Sequence, residues 1–344
     1  MMNNRFGHMA LMLSAIALVC CTSKSPLDEA GTDDVHNLGV VNGTRFSING
    51  TSFTRDHTFG MYVCVHEDQT LNPDGLQFQE HNQGYNNIKV TRTASSWVFY
   101  NSVLKENVSN LYISSNDAHE NADVYVYAPY IQAAVNPANI PFNINRNEDL
   151  MYVAENTDPT VNKDMEPGAN TELTFNFHHV LAKLEFRCRV LNVSPNTSSH
   201  TIDSIVIRKA GSKTTEMVSA GTFNAMTGVL TPSATSDSVR FKNLFYSVSP
   251  TSALFSEITP KTYTAVIYPV DYVADGDYEV ILVIDGFRKQ FSILREDLKH
   301  SDGTTYGFKA GNSYVFNIAI DNYIHLDGIT IKNDWETDSY ADEI

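Results

Sequence analysis

Two adjacent cysteines, Cys20 and Cys21, lie where an apolar run of the sequence ends, and a thiol in this position is a candidate for lipid attachment. The run, Met9–Val19, is 11 residues long and follows a short lead that contains Arg5 and His8. A helix that stays in a bilayer needs about 20 apolar residues, so this run is too short to remain there. A weakly basic lead, a short apolar stretch and small residues at its end are typical of an export signal.

The residues around the cysteine pair resemble a bacterial lipobox, in which an aliphatic residue, a tolerant position and a small residue precede the lipid-modified cysteine. This frame predicts that residues 1–20 are removed and that Cys21 carries the lipid, because a frame on Cys20 would place the bulky Val19 before the cut. Several acyl chains, at about 0.8 kcal/mol for each buried methylene, would anchor the protein firmly. The alternative is a secreted protein that loses both cysteines with its signal.

Other residues that could perform catalysis or bind metal form no convincing site in the sequence. Adjacent strand residues point to opposite faces, so His178-His179 is a poor metal pair. The acidic stretch 271–279, DYVADGDYE, lacks the ligand spacing of a calcium loop, and we interpret it as a solvated hairpin turn. The sequence has no phosphate-binding loop, nucleophile elbow or zinc-protease motif. We therefore predict that the protein is not an enzyme and carries no cofactor or metal.

The charge and the remaining cysteines narrow the class of protein further. The formal net charge is −16, which disfavours nucleic acid as a partner. Only Cys64 and Cys188 lie beyond the signal, too few for a disulfide framework. Each lies in an alternating apolar run, so we expect both to be buried, with a bridge between them as the less favoured alternative.

The rest of the sequence predicts strands almost throughout. Runs rich in aromatic and β-branched residues are separated by Gly, Asn, Asp and Pro in both halves of the chain. Residues 156–170 contain two prolines and no apolar cluster, which favours a domain boundary. We predict an all-β protein with a flexible tether at 21–40 and two tandem β-sandwiches at 41–160 and 161–344.

Two details of the second half make sharper predictions. The apolar alternation changes phase at His178-His179, which predicts two strands, or one strand with a bulge that changes the buried face. Asp285-Gly286 joins two apolar runs and predicts a tight hairpin.

Several segments, taken in order, resemble the fimbrillin family of Bacteroidetes surface lipoproteins. The matching segments are FTRDHTFGMYVCV (53–65), ADVYVYAPY (122–130), FNFHHVLAKLEFRC (175–188), FKAGNSYVFNIAI (308–320) and ITIKNDW (329–335). The resemblance covers nearly the whole chain after the signal and is weakest at 190–260.

The resemblance implies two transthyretin-like β-sandwich domains and a role as a stalk, anchor or tip subunit of adhesive type V pili. It also implies export to the outer membrane as a palmitate-carrying lipoprotein at the cell surface, with other pilin subunits as partners and no receptor identified. In stalk subunits of this family, a trypsin-like protease cuts after an arginine. The cut frees the first strand, and a strand from a neighbouring subunit, thought to come from its chain end, fills the groove.

These implied steps can be placed on particular residues. Residues 44–54 are predicted as the first strand, and Arg55 follows them, so Arg55 is the candidate cleavage site. Arg45 is the second choice, because a cut there would leave that strand attached. Anchor and tip subunits could remain uncut. The chain-end donor would come from Ile324–Trp335 and the acidic residues beyond it.

A cell-surface glycan-binding lipoprotein is the alternative function from a different class. Such proteins bind sugars on exposed aromatic faces, but the sequence offers only Trp97 and Trp335 as tryptophans, with 17 tyrosines that could substitute. A hydrolase is a third alternative, supported only by abundant carboxylates that no motif singles out.

Overall fold

The structure is a computed structural model of the 344-residue chain. It describes residues 35–40, 47–48, 51–52, 58–67, 86–92, 97–101, 106–108, 111–114, 120–153, 171–173, 175, 177–191, 198–211, 217–241, 246–251, 253–254, 262–271, 273–321 and 324–333. Within these residues we find no helix with the length and hydropathy needed to cross a bilayer.

Strands form nearly all of the described regular structure. The first thirteen are β1 (Val35–Val40), β2 (Ser47–Ile48), β3 (Thr51–Ser52), β4 (Thr58–Glu67), β5 (Ile88–Arg92), β6 (Trp97–Asn101), β7 (Glu106–Val108), β8 (Leu111–Ser114), β9 (Glu120–Ala128), β10 (Ile140–Asn143), β11 (Met151–Val153), β12 (Thr171–Leu173) and β13 (Phe177–His179).

The later strands are β14 (Ala182–Leu191), β15 (His200–Lys209), β16 (Met217–Phe223), β17 (Leu230–Ser236), β18 (Val239–Phe241), β19 (Tyr246–Val248), β20 (Pro250–Thr251), β21 (Thr262–Ile267), β22 (Tyr278–Ile284), β23 (Phe287–Ser292), β24 (Ser313–Ile320) and β25 (Ile324–Lys332). Short 3-10 helices lie at Pro137–Asn139, Ile144–Arg146 and Arg295–Leu298.

The first half of the chain builds a seven-stranded antiparallel sheet in the order β13-β11-β9-β4-β5-β6-β7. One face carries Phe59, whose ring lies 5.3 Å from Trp97, 5.8 Å from Phe175 and 5.7 Å from Phe177 between centroids. These aromatic contacts bury one face of the central strand β4. Sheets of this kind are stabilised by such packing rather than by backbone preference alone.

Tyrosine side chains cover the other face of β4. The Tyr62 and Tyr127 rings stack 6.0 Å apart, and Tyr127 lies edge-on to Phe223 of the second half at 6.3 Å. A Cβ atom at Gly60 would lie 2.1 Å from the Tyr127 ring, so this position requires glycine. The two halves of the chain therefore share one apolar core.

The second half builds two five-stranded sheets that face each other. One has the order β20-β14-β24-β25 with β21 also on β14, and the other has the order β18-β15-β22-β23 with β19 also on β15. Alternate residues of β14 and β24 meet in the core, where the Phe186 and Phe316 rings stack 4.8 Å apart. Burial of a pair of aromatic rings in this way supplies several kcal/mol, by the usual scale of about 25 cal/mol per Å².

The observed sheets confirm the predicted all-β class, whereas the predicted domain limits stay a prediction. β12 and β13 lie after the predicted boundary at 160/161 but belong to sheets of the first half. β10, which lies before that boundary, pairs with β16 in a three-stranded sheet with β17. Strands of the two halves therefore interleave along the chain, since β10 joins a sheet of the second half before β12 and β13 join sheets of the first. The linker 156–170 lies outside the described residues.

Several local predictions can be compared with the structure. The phase change at His178-His179 is confirmed as two strands, β13 and β14, in different sheets. Asp285-Gly286 is confirmed as a two-residue hairpin between β22 and β23, with φ of +50° and +78°. Residues 271–279 differ from the predicted hairpin turn, because they connect β21 and β22, which lie in different sheets.

Cys188 is buried and not in a disulfide, so the alternative bridge to Cys64 is not formed. Burial raises the pKa of the Cys188 thiol to about 12. This thiol therefore packs as a small apolar group, as the sequence predicted. The side chain of Cys64 lies outside the described residues.

A charged cluster lies on the opposite face of β14 from Phe186. The Lys183 Nζ atom is 3.0 Å from the Glu185 Oε1 atom, and the Ser313 hydroxyl donates to the same oxygen at 3.0 Å. Burial by itself would raise the pKa of Glu185, but Lys183, Ser313 and Arg187 together lower it below its ordinary value. The folded state therefore holds the ionised carboxylate.

We expect Glu185→Gln to lower the free energy of unfolding by about 3 kcal/mol at pH 7, because it removes the carboxylate that lies 3.0 Å from the buried ammonium of Lys183. A group whose pKa is lowered by folding stabilises the protein above its unfolded pKa and loses that effect as the pH falls. The difference between wild type and variant should thus shrink below about pH 4 in urea titrations. The control Glu296→Gln removes an exposed partner of Lys299 and should change little. Equal stability of Glu185→Gln and wild type at pH 7 would contradict this prediction.

Candidate strand-exchange site

The strand β1 occupies the middle of a three-stranded sheet. It pairs antiparallel with β8, from Val35 opposite Ser114 to Leu38 opposite Leu111, and parallel with β12, from Leu38 opposite Thr171 to Val40 opposite Leu173. Neighbouring strands lie about 4.8 Å apart, so without β1 the edges of β8 and β12 would face each other across roughly 10 Å. Both edges would then carry unpaired amides and carbonyls, which accept a foreign strand.

This position of β1 changes the predicted role of residues 21–40. The sequence indicated a flexible tether over that whole range, but 35–40 form a strand with two partners. The prediction failed because β1 contains Asn37 and Gly39, which are depleted in strands, and has no clean apolar alternation. Residues 21–34 lie outside the described residues.

The predicted first strand at 44–54 is also different in the structure. Its described residues form β2 and β3, which pair only with each other, Ser47 opposite Ser52 and Ile48 opposite Thr51. The prediction of a single strand was wrong because the two residues between Ile48 and Thr51 are Asn-Gly, the strongest short hairpin signal. A cut after Arg55 would separate β1 and the β2–β3 hairpin from the rest of the chain, and a cut after Arg45 would separate β1 alone.

The two candidate cleavage residues, Arg45 and Arg55, lie outside the described residues, as does Cys21. Their places in the sequence can still be compared with the strands. Both arginines follow β1 and precede β4, which begins at Thr58. A cut after either one would separate β1 from the rest of the chain, so Arg45 and Arg55 are equivalent in their effect on β1.

The chain that remains after such a cut would keep its main sheet. β4 lies between β5 and β9, and its residues Phe59, Met61 and Tyr62 are fully buried. β1 has no partner in that seven-stranded sheet among the described residues. Loss of β1 is thus compatible with an intact seven-stranded sheet.

The predicted chain-end donor is largely part of the subunit's own fold. Ile324–Lys332 form β25, which pairs antiparallel with β24 along its whole length. The Arg189 guanidinium reaches from β14 across β24 and binds the Asp327 carboxylate of β25 at 2.7 Å. Arg189 also donates to the Ala253 carbonyl oxygen at 2.7 Å. The pairing with β24 and the Arg189–Asp327 ion pair hold β25 in its own sheet, so its use as a donor would require both to break.

The histidine pair does not form a metal site. The buried His179 has its Nδ1 atom 2.8 Å from the Asp149 Oδ1 atom, and His178 lies beside the Tyr152 ring at 6.2 Å between centroids. Asp149 is held inside the fold, where burial raises its pKa while His179 acts to lower it. Among the described residues no group of three His, Cys, Asp or Glu side chains could hold a metal ion.

The comparisons with known proteins agree with the fold and with the predicted family. The fimbrillin-like family model matches residues 44–335. The crystal structure of a candidate cell adhesion protein from Bacteroides uniformis is similar with a TM-score of 0.55 and 15% identity, over 87% of this chain and 97% of that chain. A second candidate cell adhesion protein, from Bacteroides ovatus, has a TM-score of 0.51 and 14% identity, over 83% of this chain and 90% of that chain. A comparison with curated proteins gave no match.

At these identities the two crystal structures support the fold alone. The family model is decisive for membership, because it spans most of the sequence, including β4, β14 and β24. The family consists of structural adhesion proteins and not enzymes. This chain belongs to the fimbrillin-like family.

Proposed function

We propose that the protein is a fimbrial subunit that is exported as an outer-membrane lipoprotein and polymerises after proteolysis releases β1. Family membership supports the role of pilus subunit at the cell surface. The observation that carries the strand-exchange mechanism is the position of β1 between β8 and β12, upstream of both Arg45 and Arg55. A strand from a neighbouring subunit would fill the vacated place.

The composition of β1 favours its replacement. Only three of its six residues are aliphatic, namely Val35, Leu38 and Val40. Each medium aliphatic side chain contributes about 1.5–3 kcal/mol when fully buried, so a more apolar strand in the same place would bind more strongly. Asn37 and Gly39 weaken the strand further. Replacement of β1 by a more apolar strand would therefore lower the free energy without a covalent link between subunits.

The glycan-binding alternative gains no support from the described tryptophan. Trp97 is 4% exposed, and its ring packs against Phe59 and under the Arg92 guanidinium. A buried ring cannot offer a face for a sugar to stack on. Trp335 lies outside the described residues.

The proposal predicts that treatment of the folded protein with trypsin starts polymer formation. The matched variant Arg45→Ala/Arg55→Ala should remain monomeric under the same conditions, because β1 stays attached to the chain. Each single variant should still assemble if the protease can use the other arginine. Size-exclusion chromatography and electron microscopy measure the polymer. Polymer formation by the double variant at the wild-type level would overturn the proposal.

A further inference from the structure

The strand β21 lies at an edge of its sheet and has a sequence that favours strand pairing. It pairs antiparallel with β14, from Thr262 opposite Arg187 to Ile267 opposite Ala182, and with no other strand among the described residues. Its six residues, TYTAVI, include no charge, proline or glycine. Short segments with high β-propensity and low net charge pair readily with copies of themselves when their edge is open. This edge is therefore a place where the folded protein could associate wrongly.

The side chain of Asn147 binds the outer edge of β21. Its Nδ2 atom donates to the Thr264 carbonyl oxygen at 3.1 Å, and its Oδ1 atom accepts from the Val266 backbone N–H at 3.0 Å. In a parallel ladder, one residue of the added strand makes the same two bonds, to the residues before and after the residue that it faces. The Asn147 amide therefore occupies the place that a parallel strand would take opposite Ala265.

The backbone before Asn147 holds this side chain at the edge. Ile144–Arg146 form the 3-10 helix that follows β10, with the Ile144 side chain buried, and Asn147 ends this helix with φ of +56°. The Asn147 N–H donates to the Ile144 carbonyl oxygen at 2.9 Å. Glycine and asparagine are the residues that adopt this left-handed conformation most readily. Of the two, only asparagine carries an amide that can donate to and accept from a strand edge.

We propose that Asn147 is a guard residue, which closes the edge of β21 against pairing with the same strand of a second copy of the chain. Asn147 is itself exposed, so another molecule can reach this edge. No charge on β21 would repel a second β21, and the contact with Asn147 supplies the protection that charged edge residues often provide. The guard does not depend on the exchange of β1, because β1 and β21 lie in different sheets.

The test uses uncleaved protein with Asn147→Gly, because glycine keeps the left-handed backbone and removes the amide. At low protein concentration the Val266 amide should exchange about tenfold faster than in wild type, since it loses its hydrogen-bond acceptor. At high concentration the variant should form oligomers, whereas wild type should stay monomeric. Hydrogen exchange measures the first effect, and analytical ultracentrifugation measures the second.

Two further variants separate edge pairing from poor folding. Asp285→Gly makes the same substitution at another left-handed position, in the β22–β23 hairpin, and should stay monomeric. Asn147→Gly/Thr264→Lys should also be monomeric, because lysines on the open edges of two copies repel each other. Thr264 is half-buried and lies opposite Glu185, so the new charge has a neighbour of opposite sign.

Association of Asn147→Gly that disappears in the lysine double variant would establish the guard. A monomeric Asn147→Gly at every concentration would overturn the proposal, and so would unchanged exchange of the Val266 amide. Association that persists with Thr264→Lys, or that Asp285→Gly shows equally, would also overturn it. Trypsin-induced assembly of the lysine double variant tests the release of β1 separately, so either proposal can fail without the other.

Discussion

A disulfide that joins β1 to β8 is expected to abolish polymer formation until it is reduced. The pairs His36–Ile113 and Asn37–Tyr112 are directly opposite in the antiparallel register. Successive antiparallel pairs alternate between Cα separations of about 5.5 and 4.5 Å, and both are within reach of a disulfide. One of the two cysteine pairs should therefore form readily. After proteolysis the bridge would keep β1 in its place, so no incoming strand could bind.

Electron microscopy of trypsin-treated protein, with and without reductant, measures this effect. A disulfide between Val218 and Thr235 joins β16 to β17 and is the matched control, since neither strand belongs to the sheet of β1. The control should polymerise in both redox states. Normal assembly of the oxidised β1–β8 variant, with the bridge verified by mass spectrometry, would show that β1 does not need to leave.

Replacement of Cys21 by alanine is expected to remove all radioactive palmitate from the protein, whereas Cys20→Ala should retain it. The reason lies in the residues before the cut, because only the frame on Cys21 places a non-bulky residue there. Without acyl chains the protein would lose the membrane affinity that about 0.8 kcal/mol per buried methylene provides. We expect the Cys21→Ala variant to leave the outer-membrane fraction.

Metabolic labelling followed by immunoprecipitation checks this prediction. Cys188→Ala is a control, because that thiol is buried in the core and far in sequence from the signal. Labelling that persists in Cys21→Ala and disappears in Cys20→Ala would contradict the frame that we infer.

The strand pattern of this protein was predictable where apolar alternation is strong. β24 and the β22–β23 hairpin follow directly from alternating side chains and from Asp285-Gly286. The same rule failed for β1. This strand pairs with β8 and β12 through backbone hydrogen bonds, and such pairing leaves no signal in the residue composition of the strand. The Asn-Gly turn after Ile48 was a signal in the sequence that the prediction of one strand at 44–54 overlooked.

The sequence did not predict which strands pair with each other when they lie far apart along the chain. β14 and β24 pair in parallel although about 130 residues separate them, with Phe186 opposite Phe316. β10 pairs with β16 across the predicted boundary of the two halves. Neither contact has a local signature, because periodicity reveals which face of a strand is buried and not which strand lies beside it.

The central claim is that assembly removes the strand β1 from the subunit. The most direct test is the amino-terminal sequence of subunits recovered from cell-surface filaments. Our account predicts that these subunits begin at Phe46 or Asp56, after a cut that follows Arg45 or Arg55. Filament subunits that still carry residues 35–40, or that begin at a lipidated Cys21, would contradict it.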